Sequence, residues 1–157
     1  MLIAPVSPRR SSVMATLTDV NQSVRLAHER LREAATQGAL VTLCNGHDLD
    51  LLVEFGSVLD PATDPRDLDV AVRFGPGDEA HDTLQILDDL YRLTGSERID
   101  LMILNRAAPL ARERALTTGE PLFQRNRGDF ASAQIAAIME RLDTDRFRAM
   151  ELELMSS

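Results

Sequence analysis

The feature that most constrains the fold is a pair of acidic residues inside an apolar run. The segment DLDVAVRF (residues 67–74) is typical of a β-strand, yet it carries Asp67 and Asp69 two positions apart. Because side chains alternate between the faces of a strand, both carboxylates are predicted on one face, with Leu68 and Val70 on the other. Like charges on one face repel, and Asp is a poor strand former. The pattern therefore favours a strand whose acids hold a cation between them.

A second apolar run ends just before this strand begins. The segment LLVEF (residues 51–55) predicts a buried strand that ends at Gly56, and the eleven residues 56–66 form a loop compatible with an antiparallel pair. Glycine lets the backbone come close to a ligand, and the exposed N–H groups of such a turn bind phosphate oxygens. Gly56 and Ser57 are therefore predicted to contact phosphate, with the Ser57 hydroxyl as a further donor.

A third apolar run carries one more acid. The segment RIDLMILN (residues 98–105) predicts a strand that contains Asp100. If this strand lies beside the second strand, the carboxylates of Asp67, Asp69 and Asp100 converge on one face. Magnesium prefers oxygen ligands and is commonly held by one or two carboxylates together with substrate phosphates and water. Three carboxylates are enough for two metal ions in a phosphoryl-transfer site.

The remaining segments predict helices around these strands. Helical spacing of apolar residues indicates a helix over 20–37 capped by Thr18 or Asp19, and others over 79–94, 109–118, 131–142 and 143–155. The segment PLFQR predicts a short fourth strand, and residues 39–50 are ambiguous between strand and helix. The order predicts an α/β (α+β) fold in which a small mixed sheet is backed by helices. We expect one domain over residues 16–157, preceded by a disordered leader over residues 1–15.

The absence of lysine excludes several mechanisms. All seventeen basic residues are arginine, so the chain has no P-loop lysine, no kinase strand lysine and no lysine for a Schiff base. Phosphate chemistry would therefore depend on metal ions, backbone N–H groups and arginine. Arg66, beside the acidic pair, is predicted to pair with the carboxylates or to contact a phosphate.

Charge and cysteine usage narrow the class of protein further. Residues 48–105 carry four arginines and fourteen acidic residues, which fits a cation-binding centre as well as acidic surface loops. The arginines of residues 106–127 fit either solvated helix faces or contacts with nucleic-acid phosphates or an acidic partner. The single cysteine, Cys44, excludes an intramolecular disulfide and indicates a cytoplasmic protein. No run approaches the roughly 18 apolar residues that a membrane span needs.

The combined motif resembles a known superfamily. A Gly-Ser pair, nine residues, D-L-D-V-A-V and a later I-D-L are similar to the polymerase-beta-type nucleotidyltransferases, above all to the minimal nucleotidyltransferases. The stretch IDLMILNRAAPLARERALTTGEPLFQRN is similar to that group as well, and the resemblance covers about residues 18–150. It implies a polymerase-beta-like nucleotidyltransferase fold.

The resemblance also implies roles for individual residues. Gly56 and Ser57 take the positions that contact the nucleotide phosphates, Asp67 and Asp69 take metal-binding positions, and Asp100 takes that of the carboxylate that helps to activate the acceptor hydroxyl. The chain departs from the family at two places. VLDPATDP follows the Gly-Ser pair where many members have Arg-Gly, and Arg66 stands where Ser often precedes the acidic pair.

The activity that the resemblance implies is transfer of a nucleoside monophosphate from an NTP or dNTP to a hydroxyl, with release of pyrophosphate. Two Mg²⁺ ions, or Mn²⁺ as a substitute, would assist. Resemblance to the minimal nucleotidyltransferases implies an antitoxin-like enzyme that adenylylates a HEPN-type toxin. A homodimer of this chain is compatible with that activity. Alternative acceptors are the 3′-hydroxyl of a nucleic-acid primer, as in a minimal polymerase, and a small molecule. A further alternative is a non-catalytic partner-binding module.

Overall fold

The chain folds as a four-stranded sheet with helices on both faces. The structure, a computed structural model, describes residues 9–77 and 80–156. The elements, in chain order, are α1 (Arg9–Gln37), α2 (Ala39–Gly46), β1 (Leu49–Phe55), β2 (Leu68–Phe74), α3 (Thr83–Thr94), β3 (Ile99–Ile103), α4 (Pro109–Thr118), β4 (Glu120–Gln124) and α5 (Asp129–Met155). Short 3₁₀ helices follow β1 (Ser57–Leu59) and β3 (Leu104–Arg106).

The strand order in the sheet is β3-β2-β1-β4. β1 pairs antiparallel with both β2 and β4, whereas β2 and β3 are parallel and joined through α3. A parallel pair needs such a crossover connection, since a tight turn can only join antiparallel strands. The predicted fold class is therefore confirmed, as is the expected antiparallel pairing of the first two strands.

Each face of the sheet packs against its own set of helices. On one face, the alternate residues Leu68, Val70, Val72 and Phe74 of β2 lie in a core with apolar residues of α1, α2 and α3. On the other face, Ala71 packs with buried residues of α4 and α5, several of them alanines. Small side chains there let the helices approach the sheet closely. The acidic positions of β2 and β3 share this second face.

Several predicted boundaries differ from the observed ones. α1 begins at Arg9, so it includes the second half of the predicted leader, and Thr18 and Asp19 lie inside the helix rather than at its cap; residues 1–8 lie outside the described part of the chain. The ambiguous segment after α1 is the helix α2, and the tail forms one helix, α5, instead of two. β2 begins at Leu68, one residue later than predicted. Among the described residues, no helix has the length and apolar character needed to span a bilayer.

An ion network around one buried glutamate joins α1 to the sheet. Glu54 of β1 is fully buried. Its carboxylate accepts a hydrogen bond from Arg32 Nε at 3.0 Å and lies 2.6 Å from His28 Nδ1. The same arginine also pairs with Glu120 on β4. A buried carboxylate is stable only with such partners, so these contacts fix the position of α1 against β1, two residues before Gly56.

Two glutamates pair with Arg32 in this network, and substituting them should have very different effects on the stability of the protein. Glu54→Ala should lower the free energy of unfolding by about 2–4 kcal/mol, because it removes a buried partner and leaves a cavity. Glu120→Gln should cost less than about 1 kcal/mol, because Glu120 is more than half exposed and its ion pair is screened by water. Urea denaturation of both variants measures the difference, and equal losses would contradict the importance assigned to the buried pair.

Candidate active site where β1 ends and β2 and β3 begin

Two strand-borne carboxylates lie side by side at the start of β2 and β3. Asp69 and Asp100 are register partners in the parallel pair, each the second residue of its strand. Because neighbouring strands are about 4.8 Å apart and register partners face the same way, the two side chains project together from one face. The structure thus places Asp100 beside Asp69, which meets the condition on which the predicted convergence of these carboxylates depends.

Gly56 lies directly against the carboxylate of Asp69. A Cβ atom added to Gly56 would be 2.0 Å from Asp69 Oδ2 and 2.8 Å from its Cγ. The residue also has φ 81° and ψ −159°, a backbone conformation open mainly to glycine. Two independent constraints therefore require glycine here. The turn that leads into the 3₁₀ helix at Ser57 therefore lies next to the carboxylate of Asp69.

Asp67, the remaining acid of the predicted site, and Arg66 lie just before β2. Both Arg66 and Asp67 are exposed, in a bend that ends where the strand begins at Leu68. Strand alternation therefore does not fix the side chain of Asp67. It is nevertheless close enough to Asp69 to influence its ionisation. Arg66 lines a cleft between this loop and α1.

The electrostatics of the site centre on Asp69. Partial burial raises the pKa of the Asp69 carboxyl to about 6, and the negative charges of Asp100 and then Asp67 add to the increase. Burial and like charges both disfavour the ionised form. A bound cation would reverse this, because it favours the carboxylate over the acid.

The carboxylates suit a hard cation in an open site but do not form a closed cage. Among residues 9–77 and 80–156, no three His, Cys, Asp or Glu side chains are grouped so that they alone could hold a metal ion. Magnesium commonly takes only one or two protein carboxylates and completes its shell with phosphate and water oxygens. The adjacent pair Asp69 and Asp100, with Asp67 nearby, fits that description.

Two residues of α1 that the sequence pattern did not indicate hold the loop that leads to the site. Arg25 Nη2 donates to the carbonyl oxygens of Thr63, at 2.5 Å, and Asp60, at 3.3 Å. Asn21 Nδ2 donates to Asp64 Oδ1 at 2.6 Å. Polar residues on one side of a predicted helix are the only signal in the sequence, and that signal is typical of any solvated helix face. Long-range contacts of this kind cannot be read from it.

Two of the candidate arginines are engaged within the protein. Arg112 donates to the carbonyl oxygens of Leu104 and Ala107 and pairs with Glu140. Arg125 pairs with Asp48 and Asp50. Both therefore stabilise the fold instead of presenting free charge. Arg106, Arg114 and Arg127 are exposed.

Comparison with known proteins identifies the family. The model of the family described as "Polymerase beta, Nucleotidyltransferase" matches residues 39–128, more than half of the chain, and that span includes Gly56 and all three acids. The chain belongs to the polymerase beta nucleotidyltransferase family. A search of curated proteins finds no match.

Solved structures share the fold of this nucleotidyltransferase at low sequence identity. One is a tri-AMPylated HEPN toxin of Shewanella oneidensis in complex with an MNT antitoxin, with a TM-score of 0.56, 18% identity and coverage of 80% of this chain and 99% of the matched chain. A toxin–antitoxin structure with AMP-PNP has a TM-score of 0.57 at 18% identity, over 75% and 96% of the two chains. A MntA–HepT toxin–antitoxin structure has a TM-score of 0.54 at 18% identity, over 76% and 96%.

The close approach of Gly56 to Asp69 predicts a clash that can be measured. Gly56→Ala should lower the free energy of unfolding by about 2–5 kcal/mol, from the positive φ and from displacement of the Asp69 carboxylate. Gly38→Ala is the control, because Gly38 also has a positive φ but no atom within 4 Å of an added Cβ, so about 1–2 kcal/mol is expected. In the Asp69→Ala background, Gly56→Ala should cost less than it does in the native background, because the carboxylate that the added Cβ displaces is absent. An equal cost in both backgrounds would show that the clash is not with Asp69.

The raised pKa of Asp69 predicts how stability depends on pH. The folded protein holds the Asp69 proton more tightly than the unfolded chain, so this residue reduces stability as the pH rises from about 4, the ordinary value for aspartate, through about 6. In metal-free buffer at pH 7.5, Asp69→Asn should raise the free energy of unfolding by about 1 kcal/mol, a value reduced for partial exposure. At pH 4 the two proteins should differ little.

Urea denaturation across this pH range measures the effect. Asp88→Asn is the control, because Asp88 lies on α3 and is paired with Arg92 at the surface. The difference in unfolding free energy between this variant and the native protein should not show the pH dependence expected for Asp69→Asn. An Asp69→Asn variant that is less stable than the native protein at pH 7.5 would contradict the prediction.

Proposed function

We propose that this protein is a minimal nucleotidyltransferase that moves a nucleoside monophosphate, most simply AMP from ATP, onto a hydroxyl group of a partner protein. The observation that carries the proposal is the pairing of Asp69 with Asp100 beside Gly56. In this arrangement, carboxylates suited to binding cations lie beside a turn suited to binding phosphate. Membership of the nucleotidyltransferase family supports the same reaction class.

At the α-phosphorus of the NTP, the reaction forms one bond and breaks one. The acceptor oxygen bonds to the α-phosphorus of the NTP, the bond from that phosphorus to the bridging oxygen of the β-phosphate breaks, and pyrophosphate leaves. The acceptor hydroxyl gives up its proton, which is released to the solvent. When bound, Mg²⁺ or Mn²⁺ would neutralise phosphate charge and favour the deprotonated hydroxyl.

The chain's own residues would divide the remaining work. Asp67 and Asp69 would hold the cations, and Asp100 would hold a cation and orient the acceptor hydroxyl. The backbone N–H groups at Gly56 and Ser57 and the Ser57 hydroxyl would bind the phosphate oxygens, with exposed Arg66 placed to add a positive charge. No lysine is needed for any of these roles, which agrees with a sequence that has none.

A protein acceptor is favoured over a nucleic-acid primer by two observations. Of the five arginines in residues 106–127, Arg112 and Arg125 are occupied by internal carboxylates, so only the other three remain for primer phosphates. The second half of α5 instead exposes large apolar side chains, among them Phe147 and Met150, and an apolar surface of this kind is typical of a protein contact site. The structures of similar fold include complexes of a HEPN toxin with an MNT antitoxin. We therefore propose a HEPN-type protein as partner and acceptor, docked on α5.

Transfer of label from α-³²P-ATP tests both the reaction and the acceptor. With Mg²⁺ and a candidate HEPN-type protein, the native chain should label that protein and not a primer–template. Asp67→Asn and Asp69→Asn should each reduce labelling by at least about 100-fold, since even the outer partners of metal ligands are worth about 10–100-fold. Asp88→Asn is the charge-matched control and should retain full activity.

Other outcomes would select among the alternatives. Full activity in the combined Asp67→Asn and Asp69→Asn variant would refute the assigned site. Stepwise extension of the primer would favour a polymerase-like enzyme. Stable binding of the HEPN-type protein without labelling, and without Mg²⁺-dependent ATP binding in calorimetry, would indicate a non-catalytic partner-binding module.

A further inference from the structure

A pocket opens on the face of the sheet that carries the acidic pair, but at the opposite end of β2. Arg73, which lines it, faces the same way as Asp69, and at about 3.3 Å per strand residue their Cα atoms are about 13 Å apart. The volume of the pocket is about 240 Å³. Sites for drug-sized ligands usually measure about 300–1,000 Å³, so this pocket suits a molecule smaller than a nucleotide.

Most of the pocket wall is apolar. Leu104, which follows β3, and Leu116 of α4 contribute the larger side chains, and α5 contributes Ala133, Ala136 and Ala137. Because alanine side chains are short, they leave space beside α5 that larger residues would fill. An apolar wall with a few polar groups is the usual composition of a small-molecule site, in which the polar groups fix the orientation of the ligand.

Three of the polar side chains that line the pocket are already engaged within the protein. Asn105 Oδ1 accepts a hydrogen bond from Phe74 N at 2.9 Å, and Asn105 Nδ2 donates one to Phe74 O at 3.3 Å. Arg112 donates to two backbone carbonyl oxygens, and its charge is balanced by Glu140. These groups therefore hold the walls of the pocket together and do not require a ligand.

The remaining polar group, Arg73, has unused donors. In the part of the chain that the structure describes, its guanidinium donates no hydrogen bond, and its ion pair with Asp50 measures 3.8 Å, which is too long for one. The Asp50 carboxylate instead accepts a hydrogen bond from Arg125 Nε at 3.0 Å. The Arg73 side chain is 28% exposed, so a ligand can reach it. A guanidinium presents its N–H donors in a planar fork that matches a carboxylate.

We propose that this pocket binds a small organic acid, whose carboxylate pairs with the Arg73 guanidinium and whose hydrocarbon body lies against Leu104, Leu116 and the alanines of α5. The apolar wall favours such a molecule over inorganic phosphate, which has no apolar surface to bury. Hydrogen bonds between two charged groups are stronger than neutral ones, so the carboxylate form is the one bound. The pocket is separate from the acidic pair, and the inference does not depend on the proposed transferase.

Calorimetry on the full chain, without nucleotide or acceptor, tests the inference with benzoate, benzamide, benzylamine and inorganic phosphate as probes. The native protein should bind benzoate at a single saturable site and at least about tenfold more tightly than benzamide, which has the same shape but no charge. Benzylamine, a cation of similar size, should not bind. Arg73→Gln should remove the preference for benzoate. Arg92→Gln is the control, because it removes the same charge from an exposed position on α3.

A second variant covers the case in which Arg73→Gln does not fold. Ala136→Phe fills the pocket from an exposed position on α5 and should abolish benzoate binding without changing any charge. The inference would be overturned if the native protein does not bind benzoate saturably, if it binds benzoate and benzamide equally, or if benzoate binding survives both variants. Tighter binding of phosphate than of benzoate would overturn the assignment to an organic acid.

Discussion

The parallel pairing of β2 and β3 is the constraint on which the rest of the structure depends. It places Asp69 beside Asp100 on one face of the sheet, where burial and like charge raise the pKa of Asp69 to about 6. Such an arrangement reduces stability in the absence of a cation and becomes favourable once a cation neutralises it. The folded state tolerates this loss of stability because apolar cores cover both faces of the sheet. The strain is thus confined to the positions where we propose that chemistry occurs.

The surrounding elements make this arrangement rigid. Glu54 ties β1 to α1 through His28 and Arg32, and Gly56, two residues later, lies against the Asp69 carboxylate. From the same helix, Asn21 and Arg25 hold the loop that returns to β2. One helix therefore positions both ends of the segment between the turn at Gly56 and the acids. Catalysis by positioning and charge stabilisation requires such fixed geometry.

The sequence predicted the sheet and the proposed site better than it predicted the contacts that support them. Alternation of acidic and apolar residues placed Asp69 on the correct face. That the third strand lies beside the second was only a condition of the predicted convergence with Asp100, because no local pattern reports which strands are neighbours. The position of Asp67 was less well predicted, because β2 begins one residue later and alternation no longer applies to it. The roles of Glu54, Arg25 and Asn21 depend on partners 22 to 43 positions away in the chain, and no local pattern reports such pairings. The length of α1 was also missed, since proline-rich and polar residues near its start are typical of a leader segment.

The most direct test of the central claim is a crystal structure of the protein with Mn²⁺ and AMP-PNP, in which anomalous scattering locates the metal. The account predicts an anomalous peak between the carboxylates of Asp69 and Asp100, at about the 2.0–2.2 Å expected for a small divalent cation and oxygen, with the phosphates extending towards Gly56 and Ser57. A metal bound elsewhere, or a nucleotide seated away from this end of the sheet, would contradict it.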